Sequence, residues 1–230
     1  MRNWRSPMPC EHCGIRDQVL FSALEPEELA LIQRPIDERR YGKGDILYHV
    51  GDAPDHLFTV RDGLIKLVQY LPDGAQRIVR LPRQGDLIGL ETLLGIPYEH
   101  EAVVLEKVLV CRIPVAVIKQ LDQRVPRLRG ALLERWQKTL SETDSWLTEL
   151  ATGSTRDRVA RLLIHLIGDD PEGVCYLPGR EDIAAIVGTA SETVSRVVAE
   201  LRRSGVIEEI GSRRVRVNLE LSKRKDPPSP

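Results

Sequence analysis

The chain has 230 residues, of which 42% are apolar, 29% charged and 4% aromatic, a composition that suits one or two globular domains and excludes a peptide, a collagen-like repeat and a disordered tail. Its net charge of −1, from 33 basic and 34 acidic residues, neither points to a polyanionic partner nor excludes one. No run approaches the roughly 18 to 20 apolar residues of a membrane span, and Met1 to Cys10 lacks the apolar stretch of a signal peptide, so a cytoplasmic protein with no membrane partner is expected.

From about Asp45 to Pro114 the text consists of short β-rich runs: DILYHV, HLFTV, LIKLVQYL, QRIVRLP, DLIGL and AVVLEKVLVCRIP. Glycines 44, 51, 63, 74 and 85 punctuate them. This rhythm predicts an antiparallel sandwich or jelly roll, that is, a small β-barrel. Leu71-Pro72-Asp73-Gly74 is a hairpin signal, because Asp-Gly supplies the positive φ of a turn that matches strand twist.

After Pro114 the pattern becomes helical, with Pro126 placed where a helix can begin. One stripe runs Leu133, Trp136, Leu140, Thr143, Leu147 and Leu150, spaced alternately by three and four residues. That is an a/d seam, which favours a second helix alongside. Periodicity alone allows a buried helix inside one subunit equally well. No second long helix in the chain matches the seam, and this favours a homodimer. Leu128 and Leu132 lie off the stripe and can face the barrel.

Thr152-Gly153-Ser154-Thr155 reads as a hinge followed by a helix N-cap. A short amphipathic helix over Arg158–Ile167 then buries Val159, Leu162, Leu163 and Leu166, and Val174 to Pro178 is extended. Residues 180–203, REDIAAIVGTASETVSRVVAELRR, predict two helices with a tight break at Gly188. Ile183, Ile186 and Val187 give the first its apolar face. Val194, Val197, Val198 and Leu201 do so for the second, at i, i+3, i+4 and i+7. The outward face of the second helix begins with Ser191, Glu192, Ser195 and Arg196. This is a helix-turn-helix layout, in which the N-terminal residues of the second helix reach base edges in the major groove of double-stranded DNA. GVIEEIGSRRVRVNLEL comes next as a β-hairpin wing turning at Ile210-Gly211-Ser212-Arg213.

The side-chain chemistry suits that geometry. Arginine at 196 can donate a bidentate pair to guanine O6 and N7, Glu192 can accept from cytosine N4, and Ser195 can meet several base edges. Arg180, Thr189, Arg202, Arg203, Arg213 and Arg214 are placed for backbone phosphates, which fix register without reading sequence. Between Arg196 and Arg216 six arginines stand against Glu200, Glu208 and Glu209, a basic cluster of the kind that marks phosphate contact. Two plainer readings stand beside this one. Thr189 and Glu192 match a capping box, in which Glu192 would only satisfy helix-end N–H groups. Helix-turn-helix pairs also occur in domains that never meet DNA.

Four cysteines (Cys10, Cys13, Cys111 and Cys175) are too few for a disulfide framework, and only the first pair is local. A lone C-x-x-C serves as a redox dithiol, as half a zinc site or as nothing in particular. Cys111 can be a packed core thiol, and Cys175 either a separate redox thiol or core. The five histidines show no metal spacing. No G-x-S-x-G, H-E-x-x-H or P-loop pattern appears, and no enzyme activity is expected.

The order of parts, a β-barrel, a long helix and a winged helix-turn-helix, resembles the cAMP receptor protein and fumarate–nitrate reductase regulator (CRP/FNR) superfamily of bacterial transcription regulators, over roughly residues 20–220. Glu192-Thr193-Val194-Ser195-Arg196 is similar to the E-x-x-S-R recognition signature of the FNR branch. The CRP branch has glycine where Ser195 stands and arginine where Ser191 stands. The resemblance implies a homodimer on an inverted repeat like TTGAT-N4-ATCAA, and contact with RNA polymerase.

It also bears on the effector. Cyclic-nucleotide members hold the phosphate with a glycine–glutamate turn followed by an Arg-Ser or Arg-Thr pair. Gly89-Leu90-Glu91 keeps part of the turn, but Tyr98-Glu99-His100-Glu101-Ala102 brings carboxylates where a cation belongs, and like charges repel there. Cyclic AMP is not the expected ligand. FNR-type members hold an iron–sulfur cluster on three N-terminal cysteines and one barrel cysteine. Cys10 and Cys13 resemble the first two, and Cys111, in Val110-Cys111-Arg112-Ile113-Pro114, the last. The third N-terminal cysteine, six or eight residues after Cys13, is replaced by Val19 or Phe21. Asp17 or His12 completes the metal set, or no cluster forms.

The fold expected is therefore α+β: an N-terminal Cys-containing segment (1–20), an antiparallel β-barrel sensor domain of cyclic-nucleotide-binding type (21–124), a dimerisation helix (125–151), a winged helix-turn-helix (152–222) and a tail (223–230). The expected function is a sequence-specific transcription regulator responding to oxygen, redox state or a related signal. Its rival is a cyclic-nucleotide-type module whose winged helix binds protein.

Overall fold

The computed structural model describes residues 19–29, 36–168 and 170–218. Two compact units divide it, one taking the chain to Asp73 with Val79–Ser141, the other Gly74–Ile78 with the chain from Glu142 onward.

A 3₁₀ turn (Leu20–Ala23) and a short helix α1 (Pro26–Leu29) precede strands β1 (Asp37–Tyr41), β2 (Ile46–Tyr48), β3 (His56–Tyr70), β4 (Gln76–Arg80), β5 (Leu87–Ile88) and β6 (Glu101–Pro114), all in the first unit except β4 as far as Ile78. They form one antiparallel sheet in the order β1-β6-β3-β4, with β2 added to β6 and β5 to β3. Two long strands, β3 and β6, carry it. Register shifts between Val60 and Ile65 bend β3. Gly63, at φ +89°, makes that bend possible, because a Cβ there would sit 2.2 Å from the Lys107 carbonyl oxygen. Inside the curved sheet Tyr48, Phe58, Val60, Ile65, Leu67, Val104, Val108 and Val110 form one core, with Tyr48 stacked on Tyr98 at 3.9 Å.

A second core lies where the sheet meets helices. Leu20, Phe21, Leu24, Leu57, Ile113, Val117, Ile118, Leu121 and Leu128 fill it. Pro114 ends β6 and serves as N-cap of α2 (Val115–Asp122), a short helix that the helical pattern after Pro114 does not distinguish from the long one. The long helix α3 (Pro126–Leu150) enters this core through Leu128, which is fully buried, with Ala131 and Leu132 packed against the cluster. Burying a leucine in this way stabilises by about 1.5 to 3 kcal/mol. The same side of α3 reaches the sheet's loops, Arg135 donating to the Gly85 carbonyl at 3.3 Å and Lys138 pairing with Asp86 at 3.3 Å.

The second unit holds α4 (Thr155–Ile167), β7 (Val174–Tyr176), α5 (Arg180–Val187), α6 (Ser191–Arg203), β8 (Ile207–Gly211) and β9 (Arg214–Val217). Helix α4 begins three residues earlier than its apolar pattern, because Ser154 and Asp157 close a capping box around its first turn. The three strands pair antiparallel in the order β7-β9-β8. The wing turns at Ser212-Arg213, one residue later than the turn read from sequence, and Arg213 takes a positive φ of 56°. No helix among the described residues is long and apolar enough to cross a membrane.

Candidate nucleic-acid interface

The α5–α6 pair is built by its apolar faces. Ile183, Ile186 and Val187 of α5 and Val194, Val197, Val198 and Leu201 of α6 are all buried. Gly188 closes α5 in the left-handed region, φ +67°, where a side chain would be strained. Burying one stripe of α6 turns the opposite stripe outward. Glu192 and Arg196 are exposed there, and Ser191 and Ser195 half-buried. Arg196 lies along the helix, its Nη2 donating to Thr193 Oγ1 at 3.3 Å.

The N-cap of α6 is Ala190, which has no side-chain acceptor to offer. Thr189 stands one position too early to cap, so the Thr189–Glu192 capping box read from sequence is not formed. Glu192 is thereby released from that structural duty.

Around this face the six phosphate candidates separate. Arg180 and Arg203 are exposed, and Thr189 half-buried, beside the turn. Arg202 is ion-paired with Glu209 of the wing. Arg213, at the wing turn, gives its carbonyl oxygen to the Leu177 N–H at 2.8 Å and brings Nη1 within 3.6 Å of where a Cβ on Gly179 would lie. The Asp182 carboxylate lies beside the same point, its Oδ2 3.2 Å from that Cβ position. Arg214 is exposed on β9 opposite Gly211 and Tyr176, while Arg216 is held by Glu172 and Glu208 at 3.8 and 3.6 Å.

Of the α3 stripe, Leu133, Trp136, Leu140 and Leu147 are 63, 39, 54 and 65% exposed, and Thr143 is half-buried. Leu150 departs from the expected seam: at 5% exposure it is buried within its own chain, where α3 ends against the hinge.

The cysteines fall into three groups. Cys10 and Cys13 lie outside the described residues, as do His12 and Asp17. Cys111 sits on β6 opposite Glu38 and Thr59, is not disulfide-bonded, and packs against the core that contains Leu20, Phe21 and Leu24. Cys175 is 2% exposed on β7, and burial pushes its thiol up to about 12. Burial and a thiol held so far from its thiolate favour the core alternative for Cys175 over the redox one. Val19 and Phe21, where the resemblance expects another cysteine, are buried at 9 and 4%. Among the described residues no three His, Cys, Asp or Glu side chains are grouped to hold a metal ion.

Sequence reasoning missed a polar cluster at the barrel end. Glu101 accepts from the Tyr70 hydroxyl at 2.8 Å and pairs with His49 Nδ1 at 2.8 Å. His100 contacts Gln69 at 3.4 Å, and burial lowers its pKa although Glu91 opposes the shift. The carboxylate at 101 is thus already occupied by neighbours drawn from β3 and the loop after β2. It missed as well the arginines of α4: Arg156 pairs with Glu200, and Arg158 and Arg161 donate to backbone carbonyls.

Two family descriptions match this chain: the cyclic nucleotide-binding domain over residues 38–124 and the Crp-like helix-turn-helix domain over residues 157–220. The transcriptional activator FnrL of Cereibacter sphaeroides is 28% identical over 216 residues, covering 90% of this chain and 86% of the relative. The fumarate and nitrate reduction regulatory protein of Vibrio cholerae is 25% identical over 205 residues, covering 86% and 82%. Among solved structures, a CRP-family transcriptional regulator of Thermus thermophilus matches with a TM-score of 0.68 at 26% identity, over 80% of this chain and 94% of the other. FixK2 of Bradyrhizobium japonicum matches in fold with a TM-score of 0.74 at 22% identity, over 82% and 96%.

Proposed function

The chain belongs to the CRP/FNR superfamily of transcription regulators, on its FNR-like side, and from that premise we propose that it binds double-stranded DNA as a homodimer and reads a TTGAT-N4-ATCAA-like palindrome. The observation that carries this is the exposed stripe of α6. Ser191, Glu192, Ser195 and Arg196 share it, no capping duty explains Glu192, and the partner that engages Arg196 is the neutral Thr193. Two such helices one turn apart, about 34 Å, meet successive major grooves of a palindrome. The exposed leucines of α3 supply the surface that pairs two copies. Arg180, Arg203 and Arg213 hold phosphates and fix register. The reading is of a regulator, not an enzyme, and extends to RNA polymerase as its partner at a promoter.

The input we assign is oxygen or redox state, which is what the names of relatives such as the anaerobic regulatory protein of Pasteurella multocida suggest. Cys10, Cys13 and Cys111 are the thiols available for it. A four-cysteine iron–sulfur cluster does not fit, because core side chains, Val19 and Phe21, stand where the resemblance expects the third N-terminal cysteine. Cyclic AMP is not the ligand proposed, since Glu101 occupies the region where a cation would have to meet phosphate.

The test is an electrophoretic shift with the palindrome and a scrambled control. Arg196→Ala is expected to cost about 1 to 3 kcal/mol at the guanine position, with a steep salt dependence retained. Equal binding of both duplexes rejects the specificity. Binding that ignores both salt and Arg196 supports instead the rival, a winged helix that docks on protein.

A further inference from the structure

We propose that Arg161 locks the corner between α3 and α4 and thereby sets the separation of the two reading helices, so that it governs which half-site spacing the dimer accepts. The inference rests on the reading of α6 as a DNA-reading helix in a dimer.

The last carbonyls of a helix lack intrahelical donors and carry partial negative charge, and α3 has no basic residue in its last turn. Arg161, two turns into α4, supplies what is missing. Its Nη1 donates to the Glu149 carbonyl near the end of α3 and, at 2.8 Å, to the Thr152 carbonyl in the hinge. Gly153, at φ +85°, leaves room for it, since a Cβ there would stand 3.0 Å from Arg161 Nη2. One helical turn further along the same face of α4, His165 stacks on Trp146 of α3 with ring centroids 5.5 Å apart. The Ser154–Asp157 box fixes the start of α4 between these contacts.

From α4 the path continues to the reading helix. Arg156 Nε donates to Glu200 of α6 at 2.9 Å, and Arg158 Nη1 donates to the carbonyl of Val187, the last residue of α5. Beside the apolar packing of α4 on α5 and α6, the polar links from the end of α3 to α6 are thus hydrogen bonds from guanidinium groups and one ring stack. The hinge composition suggests freedom, with Thr152, Gly153 and Ser154 in a row, yet the corner is tied on both sides. Swivelling α6 relative to the seam residue Leu147 requires breaking charge-assisted bonds, which are stronger than neutral ones. Arg161 touches no base. It acts through the angle at which α6 is presented.

The experiment uses the full-length protein and duplexes with two TTGAT half-sites separated by three, four or five base pairs. One base pair turns a half-site by about 34 to 36° and shifts it by about 3.4 Å. The wild type is expected to prefer one spacer over its neighbours by about tenfold or more, within the range of ordinary coupling. Arg161→Ala is expected to reduce that ratio to about threefold or less, with Arg161→Lys between the two because it keeps the cation but loses the fork. Discrimination between TTGAT and a scrambled half-site, and the salt slope, should stay at wild-type values, which a general loss of folding would not allow. Thermal melting checks the fold. His165→Ala, which removes the stack and spares the carbonyl clamp, serves if Arg161→Ala does not fold, and a partial loss of spacing preference is expected of it. Undiminished spacing preference in the folded variant overturns the inference. A wild type that prefers no palindrome overturns the underlying functional reading instead.

Discussion

Leu140→Ala strips one side chain from the exposed stripe of α3 and leaves the chain's own cores alone. Leu140 is 54% exposed, so a partner helix can remove from water about half of what full burial of a leucine provides, or roughly 0.8 to 1.6 kcal/mol. Two-fold symmetry counts the loss twice, which gives about 1.5 to 3 kcal/mol per dimer and a dissociation constant raised about tenfold to a hundredfold. Sedimentation equilibrium over a dilution series measures it, and thermal melting at high concentration should show little loss of the monomer fold. Leu150→Ala is the control. Leu150 is buried within its own chain, so its truncation should destabilise folding by about 2 to 5 kcal/mol and affect dimerisation only through that loss. If Leu140→Ala dimerises with wild-type affinity, the stripe is not the seam, and the spacing of two reading helices has no such support.

Glu192→Ala should change base preference within the half-site while leaving thermal stability near the wild-type value, as read by binding to single-base-substituted palindromes and by a melt; a loss of about 1 kcal/mol of stability with unaltered preference would restore the capping role. Cys175 in the folded protein should resist maleimide at pH 8, because a thiol pushed up to about 12 carries almost no thiolate there, and labelling at the rate of a free thiol would refute its burial. Anaerobically purified protein should contain no stoichiometric four-iron cluster by iron and sulfide assay and visible spectrum, and a stable cubane would show that a non-cysteine donor such as Asp17 or His12 completes the set.

The legible parts of the fold are those with a clear period. The 3.6-residue spacing of Val194, Val197, Val198 and Leu201 identifies α6 and, by subtraction, its outward residues, since one helix cannot bury both stripes. The alternating runs identify the sheet because β3 and β6 dominate it. Motif spacing alone does not locate an N-cap: Gly188 ends α5, and the chain needs two further residues before it turns helical, which puts Ala190 and not Thr189 at the cap. Leu150 continues the seam in spacing but not in space, since a stripe stops facing outward at a helix end that packs against its own chain. The arginines of α4 escaped notice for a different reason. Arg158 and Arg161 bind carbonyl groups, and a backbone oxygen leaves no residue type for a motif to match.

Charge count alone would have ranked the basic residues wrongly. Six arginines between Arg196 and Arg216 look like one patch, yet Arg202 and Arg216 already face Glu209, Glu208 and Glu172. Those pairs are exposed, and exposed pairs are weak and screened by salt, so a phosphate can draw either arginine away. The exchange would replace one carboxylate with another anion, and its net gain is correspondingly small. Arg213 comes from a distant part of the chain to reach Gly179, the residue before α5. The Asp182 carboxylate reaches the same space, Oδ2 standing 3.2 Å from where a Cβ on Gly179 would lie, so a phosphate approaching Arg213 meets a carboxylate there too. At Arg202, Arg213 and Arg216 phosphate contact therefore competes with a neighbouring carboxylate, and the count of six arginines overstates the charge open to an anion on this side of the domain.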